Sequence, residues 1–440
     1  MAITLRTERS DGTYTLNLWN SVFKVRGWQT RTNGPRVIET FNLIAEGTDA
    51  QIIAAENQLA DHLYEAEEFH ADPLRRLGIL LRAQANSESS SRTSLIYKGE
   101  LLTIMQANIT PMLGKNGAFY QLALERHAAW ETTTTGPTGA NVSVLGGLVS
   151  LTDMGGTLLG RLGQLDLIAR NGGGGPLHRF WVGIRPVHEG TSTFVAKWEC
   201  ESGTNGTDAS DTVDASCSGG NKVRVSFGTV ATLAKRLSMT VTTFISTPAD
   251  LVGRYLVLLR GSVTAGVVAL QMRTGFSQSE SFAPHKTIYL SNTSDQLLEL
   301  GEVSLPPFGY RNQVQDADAL DQFQFQIWAE RISGAGSLDM DCLILIPAEH
   351  SIYVSGGSLG YSVGDVNKLS VFTFEDDQKM VLQYSNDIPR ANMEFGHGNW
   401  AYPNGGGVMV IAAEREGSQV ISDTVDYAIE RFPRWRTYMS

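Results

Sequence analysis

Polar and apolar positions alternate from Val37 to Ala45. This predicts a strand with Val37, Glu39, Phe41, Leu43 and Ala45 on one face. The period then changes. Thr48 and Gln51 have the spacing of a capping box, S/T-x-x-E/Q. Ile52, Ala55, Leu59, Leu63 and Ala66 follow at intervals of three and four, while Glu56, Asp61, Glu65, Glu67 and Glu68 fill the other side. The spacing predicts one amphipathic helix over 49–68, with Pro73 as its stop. Short strands are expected at 79–81, 94–97, 101–105 and 119–124, with Ser87 to Ser91 as a loop.

The stretch from Glu131 to Gly139 (Glu-Thr-Thr-Thr-Thr-Gly-Pro-Thr-Gly) has no apolar side chain to bury and reads as a linker. Beyond it, apolar runs recur every 10–15 residues or so, separated by Gly, Asn, Asp and Ser. Examples are 180–184, 194–198, 223–227, 237–244, 255–259, 267–272, 323–328 and 342–346. After Gly356-Gly357 come four more, at 371–374, 380–383, 408–412 and 425–429. The predicted fold class is mainly β. Residues 1–131 form an N-terminal β-sandwich or barrel with one amphipathic helix, 140–350 a jelly-roll β-sandwich, and 356–440 a strand-rich C-terminal domain or extension.

One phrase occurs twice. Ala123-Leu124-Glu125-Arg126-His127-Ala128-Ala129-Trp130 closes the first region, and Ala428-Ile429-Glu430-Arg431-Phe432-Pro433-Arg434-Trp435 follows the same plan. Glu125, Arg126, Trp130, Glu430, Arg431 and Trp435 are therefore expected as structural anchors. Residues 427–435 should form a strand that stops near Pro433, which has no N–H to give a ladder.

Composition agrees with a strand-rich chain. Of 440 residues, 18% are charged, against about 25% in average soluble proteins, and 45 are glycine. The net charge of −11 argues against nucleic-acid binding through general electrostatics. No apolar run is long enough for a membrane helix. Met1 to Arg9 lacks the apolar core of a secretory signal, so assembly in a cytoplasm is expected. Of three cysteines, Cys200 and Cys217 flank a polar loop and could pair under oxidising conditions; free thiols are the expectation in a cytoplasmic product.

The chemical motifs are weak. Gly356-Gly357-Ser358-Leu359-Gly360 fits G-x-S-x-G, but no helical sequence follows, and a glycine hinge is expected. Gly172 to Gly175 lacks the Lys of a phosphate loop and reads as a hairpin tip between 165–168 and 180–182. The eight histidines show no metal-helix spacing. Asp339, Asp341, Asp376 and Asp377 form close carboxylate pairs of the kind that could hold calcium, with plain loop carboxylates the favoured reading. Trp181 and Trp328 lie in apolar strands and are expected in the core. Trp198 and Trp400 have more polar neighbours and are the candidate sugar platforms. No catalytic, metal or cofactor residue is assigned.

The layout resembles the distal tail proteins of long-tailed bacteriophages. The residues that carry it are Ile38 to Leu43 leading into the helix, Leu124-Glu125-Arg126 with Trp130, Leu300 to Pro307 and Gly336 to Pro347. The resemblance implies a structural virion protein and not an enzyme: a homo-hexameric ring in the baseplate at the tail tip. It further implies tail tube protein and tail hub or fibre proteins as neighbours, and a galectin-like or carbohydrate-module-like jelly roll facing outward. Neither nucleic-acid sequence recognition nor membrane insertion is implied. A glycan-binding host-attachment protein using the jelly roll directly is the alternative. A polysaccharide-degrading enzyme, which needs two carboxylates across a cleft, is disfavoured because no segment reads as a catalytic barrel.

Overall fold

A computed structural model describes residues 2–9, 12–17, 22–33, 36–71, 80–86, 91–107, 116–127, 130–131, 134–151, 163–173, 177–186, 194–228, 231–244, 251–276, 282–305, 323–355, 368–374, 378–385, 388–391, 401–402, 406–415, 421–432 and 434–435. The fold is mainly β, built from several antiparallel sheets, and among the described residues no sheet closes into a barrel or jelly roll. The chain divides into two compact units. Unit 1 is Met1–Thr134 with Thr157–Gly163 and Arg431–Ser440; unit 2 is Thr135–Gly156 with Gln164–Glu430.

Unit 1 is an open sheet with a helix on it. Its strands run in the order Gly12–Asn17, Ala2–Arg9, Leu80–Asn86, Ser91–Ala107, Asn116–His127, Arg36–Gly47, Phe23–Asn33. In Arg36–Gly47 the buried positions are Val37, Glu39, Phe41, Leu43 and Ala45, as the alternation predicts. The helix spans Asp49–Ala71. The capping box forms: the Thr48 N–H donates to Gln51 Oε1 at 3.0 Å, and the Gln51 N–H to Thr48 Oγ1 at 3.4 Å. Ile52, Ala55, Leu59 and Leu63 join Phe41, Leu43, Tyr120, Leu122 and Leu124 in one core. A Cβ at Gly99 would overlap Leu63, so the absence of a side chain there lets the helix lie against Ser91–Ala107.

The repeated phrase meets itself. Arg434–Trp435 pairs antiparallel with Trp130–Glu131, placing Trp435 opposite Trp130 and Arg434 opposite Glu131. Glu430 and Arg431 lie in the strand Thr424–Phe432. Arg126 is buried and binds Glu39 Oε1 through Nε (2.8 Å) and Nη2 (2.6 Å). Its neighbour Glu125 faces the other way, to Arg36 (2.8 Å) and Lys98 (3.2 Å).

Unit 2 holds the larger core. One sheet has the order Ala209–Val213, Asn221–Val225, Leu338–Pro347, Gly253–Val263, Gln296–Leu305, with Lys197–Glu199 also on Leu338–Pro347. A second has Thr204–Asn205, Ala234–Thr240, Phe323–Ser333, Val267–Phe276, Phe282–Leu290. Leu259, Leu297 and Ile344 of the first share a core with Leu237, Leu270 and Ile327 of the second. A four-stranded sheet orders Leu145–Leu151, Gly407–Arg415, Leu177–Pro186 and Ser351–Ser355, so strands on both sides of residue 356 lie together.

Three local expectations change. Thr134–Ser143 is an edge strand beside Thr424–Phe432 and not a linker. An edge strand is held by its backbone, so the lack of apolar side chains did not prevent it, and Gly139 lies where a Cβ would strike the Tyr427 ring at 2.6 Å. The strands flanking Gly174 and Gly175, Gly163–Gly173 and Leu177–Pro186, belong to different sheets and do not form a hairpin. The run 237–244 ends in a helical turn, Val241–Phe244. Gly356 to Gly360 lies outside the described residues.

Candidate functional site

The tryptophans differ in burial from the expectation. Trp198 is fully buried; its ring stacks on Phe244 (4.7 Å, 3°) and meets Phe325 edge-on (5.3 Å). Its Nε1–H donates to the Val195 carbonyl at 2.9 Å. A ring enclosed on these sides is a core residue and cannot be a sugar platform. Trp400 lies outside the described residues. Trp181 is buried as expected, stacked on Tyr353 at 5.2 Å, but Trp328 is part-exposed.

Trp328 belongs to a polar sheet face. On Phe323–Ser333, Phe325, Ile327 and Ala329 are fully buried, which sends Gln324, Gln326 and Trp328 to the opposite side. The Trp328 Nε1–H donates to Gln326 Oε1 (3.0 Å), Gln326 Nε2 to Gln324 Oε1 (3.2 Å), and Gln324 Nε2 to Thr240 Oγ1 (3.2 Å). Arg273, opposite Gln326, lays its guanidinium 4.0 Å from the Trp328 ring centroid and donates to Gln271 Oε1 at 2.9 Å. Gln271 Nε2 donates to Thr287 Oγ1 at 3.3 Å. Tyr289, two residues along the edge strand, is 68% exposed. Gln326 is itself buried and braces Trp328, while the part-exposed Trp328, Arg273 and Gln271 and the exposed Thr287 and Tyr289 lie on one sheet face and can hydrogen-bond and stack against a hydroxylated ligand.

A second cluster is buried in the facing sheet. The register steps from Leu259↔Leu343 to Gly261↔Met340, so Asp341 and Cys342 together oppose Arg260. This β-bulge re-aims a side chain, and it brings two consecutive residues into one group. Glu199 pairs directly opposite Cys342. Arg260 Nη1 donates to Asp341 Oδ2 at 2.5 Å, and Nη2 lies 2.9 Å from Asp295 Oδ2. The Ser218 N–H also donates to Asp341 Oδ2 (3.1 Å), while the Ser218 hydroxyl donates to Glu199 Oε1 (2.7 Å). Lys197 Nζ is 2.9 Å from the same Glu199 oxygen.

Burial pushes the Asp341 carboxyl up to about 6, against the pull of Arg260. It also raises Glu201, aided by the charges of Glu199, Asp341 and Asp211. Desolvation holds the Cys200 and Cys342 thiols well above the usual range and moves Cys217 up to about 11. All three cysteines are buried and free of disulfides.

Asp339 and Asp341 do not converge on a shared cation. Asp339 is taken by Arg224 (2.7 and 2.8 Å) and Lys222 (2.9 Å), while Asp341 faces Arg260. Asp376 and Asp377 lie outside the described residues. Glu199, Arg260, Gln326, Arg273 and the outward position of Trp328 were not singled out from the sequence. The usable signal was the alternation Phe323, Phe325, Ile327, Ala329 against Gln324, Gln326, Trp328.

No protein-family model matches the chain, and no curated protein matches it.

Proposed function

We propose that this chain is a structural component of a phage tail tip, a distal-tail-type ring protein. Residues 1–131 join copies into a homo-hexameric ring between tail tube protein and tail hub or fibre proteins, and residues 140–350 serve as an outward, galectin-like β-sandwich domain of the jelly-roll class. The virion tail tip is then its final location, reached by assembly in the host cytoplasm. The observation that carries this reading is the open sheet of unit 1. It ends on one side in Phe23–Asn33, a strand of 11 residues, and on the other in Gly12–Asn17. Two different edges on one subunit are what a head-to-tail interface uses, and such an interface makes a ring when its rotation closes. Labelled particles imaged by electron microscopy are expected to show the chain as a six-fold ring at the tail tip. A strict monomer, both at high concentration and in assembled particles, overturns the proposal.

The polar face around Trp328 favours a second reading, direct glycan attachment. The test is a glycan array probed with the full chain, followed by titration of any hit. Trp328→Ala and Arg273→Ala are each expected to weaken binding at least tenfold. Hits unaffected by both variants, or an array without hits, reject attachment through this face and leave the ring proposal standing.

A further inference from the structure

We propose that Glu199, Asp341 and Cys342 form a binding site for a zinc-class divalent cation, which pins the strand Lys197–Glu199 to the bulge in Leu338–Pro347. One ligand atom from each residue lies within 4.8 Å of the other two. A tetrahedral ion with Zn–S near 2.3 Å and Zn–O near 2.1 Å sets such atoms roughly 3.6 Å apart, so a shift of about 1 Å closes the site.

The independent observation is the state of the carboxylate oxygens. Asp341 is 2% exposed; its Oδ2 is held by Arg260 and Ser218 and accepts from the Cys342 thiol at 3.9 Å, yet its Oδ1 is buried with no hydrogen-bond donor. Glu199 repeats the pattern. Its Oε1 takes the Ser218 hydroxyl and Lys197, and its Oε2 is buried and bare. Glu201 adds a third bare oxygen, Oε2, two residues on. A buried acceptor without a donor is costly, and ionised carboxylates only accept. A cation is the ligand that fits. The occupied oxygens meanwhile orient each carboxylate, the task that outer partners perform around bound metals.

The thiol narrows the class of ion. Calcium and magnesium take oxygen ligands, whereas a thiolate beside two carboxylates suits zinc. Binding costs Cys342 its proton, which leaves to solvent as the sulfur–metal bond forms. The surrounding negative charge opposes a bare thiolate but attracts the cation that compensates it. Four carboxylates (Glu199, Glu201, Asp295, Asp341) share the cluster with two cations, Lys197 and Arg260.

Cobalt(II) added to the chelator-stripped full-length protein serves as the probe. One ion per chain is expected by elemental analysis, with a thiolate-to-cobalt charge-transfer band in the near ultraviolet that zinc abolishes. Cys342→Ser should remove the band, and Cys217→Ser should keep it. Glu199 is part-exposed and its change to Gln keeps the shape, so Glu199→Gln guards against a folding failure; it should weaken cobalt binding at least tenfold with an unchanged circular dichroism spectrum. Cobalt bound without the band, a band that survives Cys342→Ser, or full affinity in Glu199→Gln each overturns the proposal.

Discussion

Two tryptophans of unit 2 stand on opposite sides of their strands, and their neighbours show why. Trp198 lies between Lys197 and Glu199 and is buried; Trp328 lies between Ile327 and Ala329, both fully buried, and is part-exposed. Successive side chains of a strand point to opposite faces, so the flanking residues report the face that the central one does not occupy. Polar flanks mark an inward residue. The same rule separates Glu125 from Arg126 in unit 1: one faces Arg36 and Lys98, the other the buried Glu39.

The inward members should dominate stability. Arg126→Met leaves Glu39 fully buried without its cation, and a loss of about 3–5 kcal/mol is expected in chemical denaturation of the full-length protein. Trp198→Ala opens a cavity between Phe244 and Phe325 and should cost a similar 3–5 kcal/mol or so, read the same way. Trp328→Ala forfeits the cation–π contact with Arg273 and the hydrogen bond to the buried Gln326 Oε1, together about 1–2 kcal/mol. A loss as large as that of Trp198→Ala would break the comparison.

The smallest effect belongs to Glu125. Burial pushes its carboxyl up, but hydrogen bonds from Arg36 and Lys98 outweigh that and hold it below the usual carboxylate range. A lowered folded value contributes stability that is fully present above the unfolded value and lost as pH falls through the folded one. Glu125→Gln should therefore cost up to about 1 kcal/mol at pH 7, and the gap to the native protein should shrink below about pH 4. A gap that stays constant across acid denaturation curves would show that the ion pairs add nothing.

The parts legible in the sequence are those whose information is local. The strand Arg36–Gly47 and the helix Asp49–Ala71 declare themselves by period and by the Thr48–Gln51 box, and both form. Weighing the flanks of Trp198 and Trp328 by polarity, without the alternation, reversed their faces. Thr134–Ser143 was hidden because its partner, Thr424–Phe432, is remote in sequence and holds it through the backbone. The carboxylate–thiol cluster was hidden for two reasons. Glu199 and Cys342 meet only through strand pairing, and the bulge that groups Asp341 with Cys342 breaks the very period by which strands are read.

The pairing of Arg434–Trp435 with Trp130–Glu131 has a consequence in time. Unit 1 is encoded in pieces, with nearly all of unit 2 translated before its last strand. A ribosome releases residues 2–131 early, and they can collapse around the helix while synthesis continues. The sheet gains Arg434–Trp435 only when that segment has left the exit tunnel. Any premature stop before it, wherever it falls, yields a chain whose first-made unit lacks the same strand.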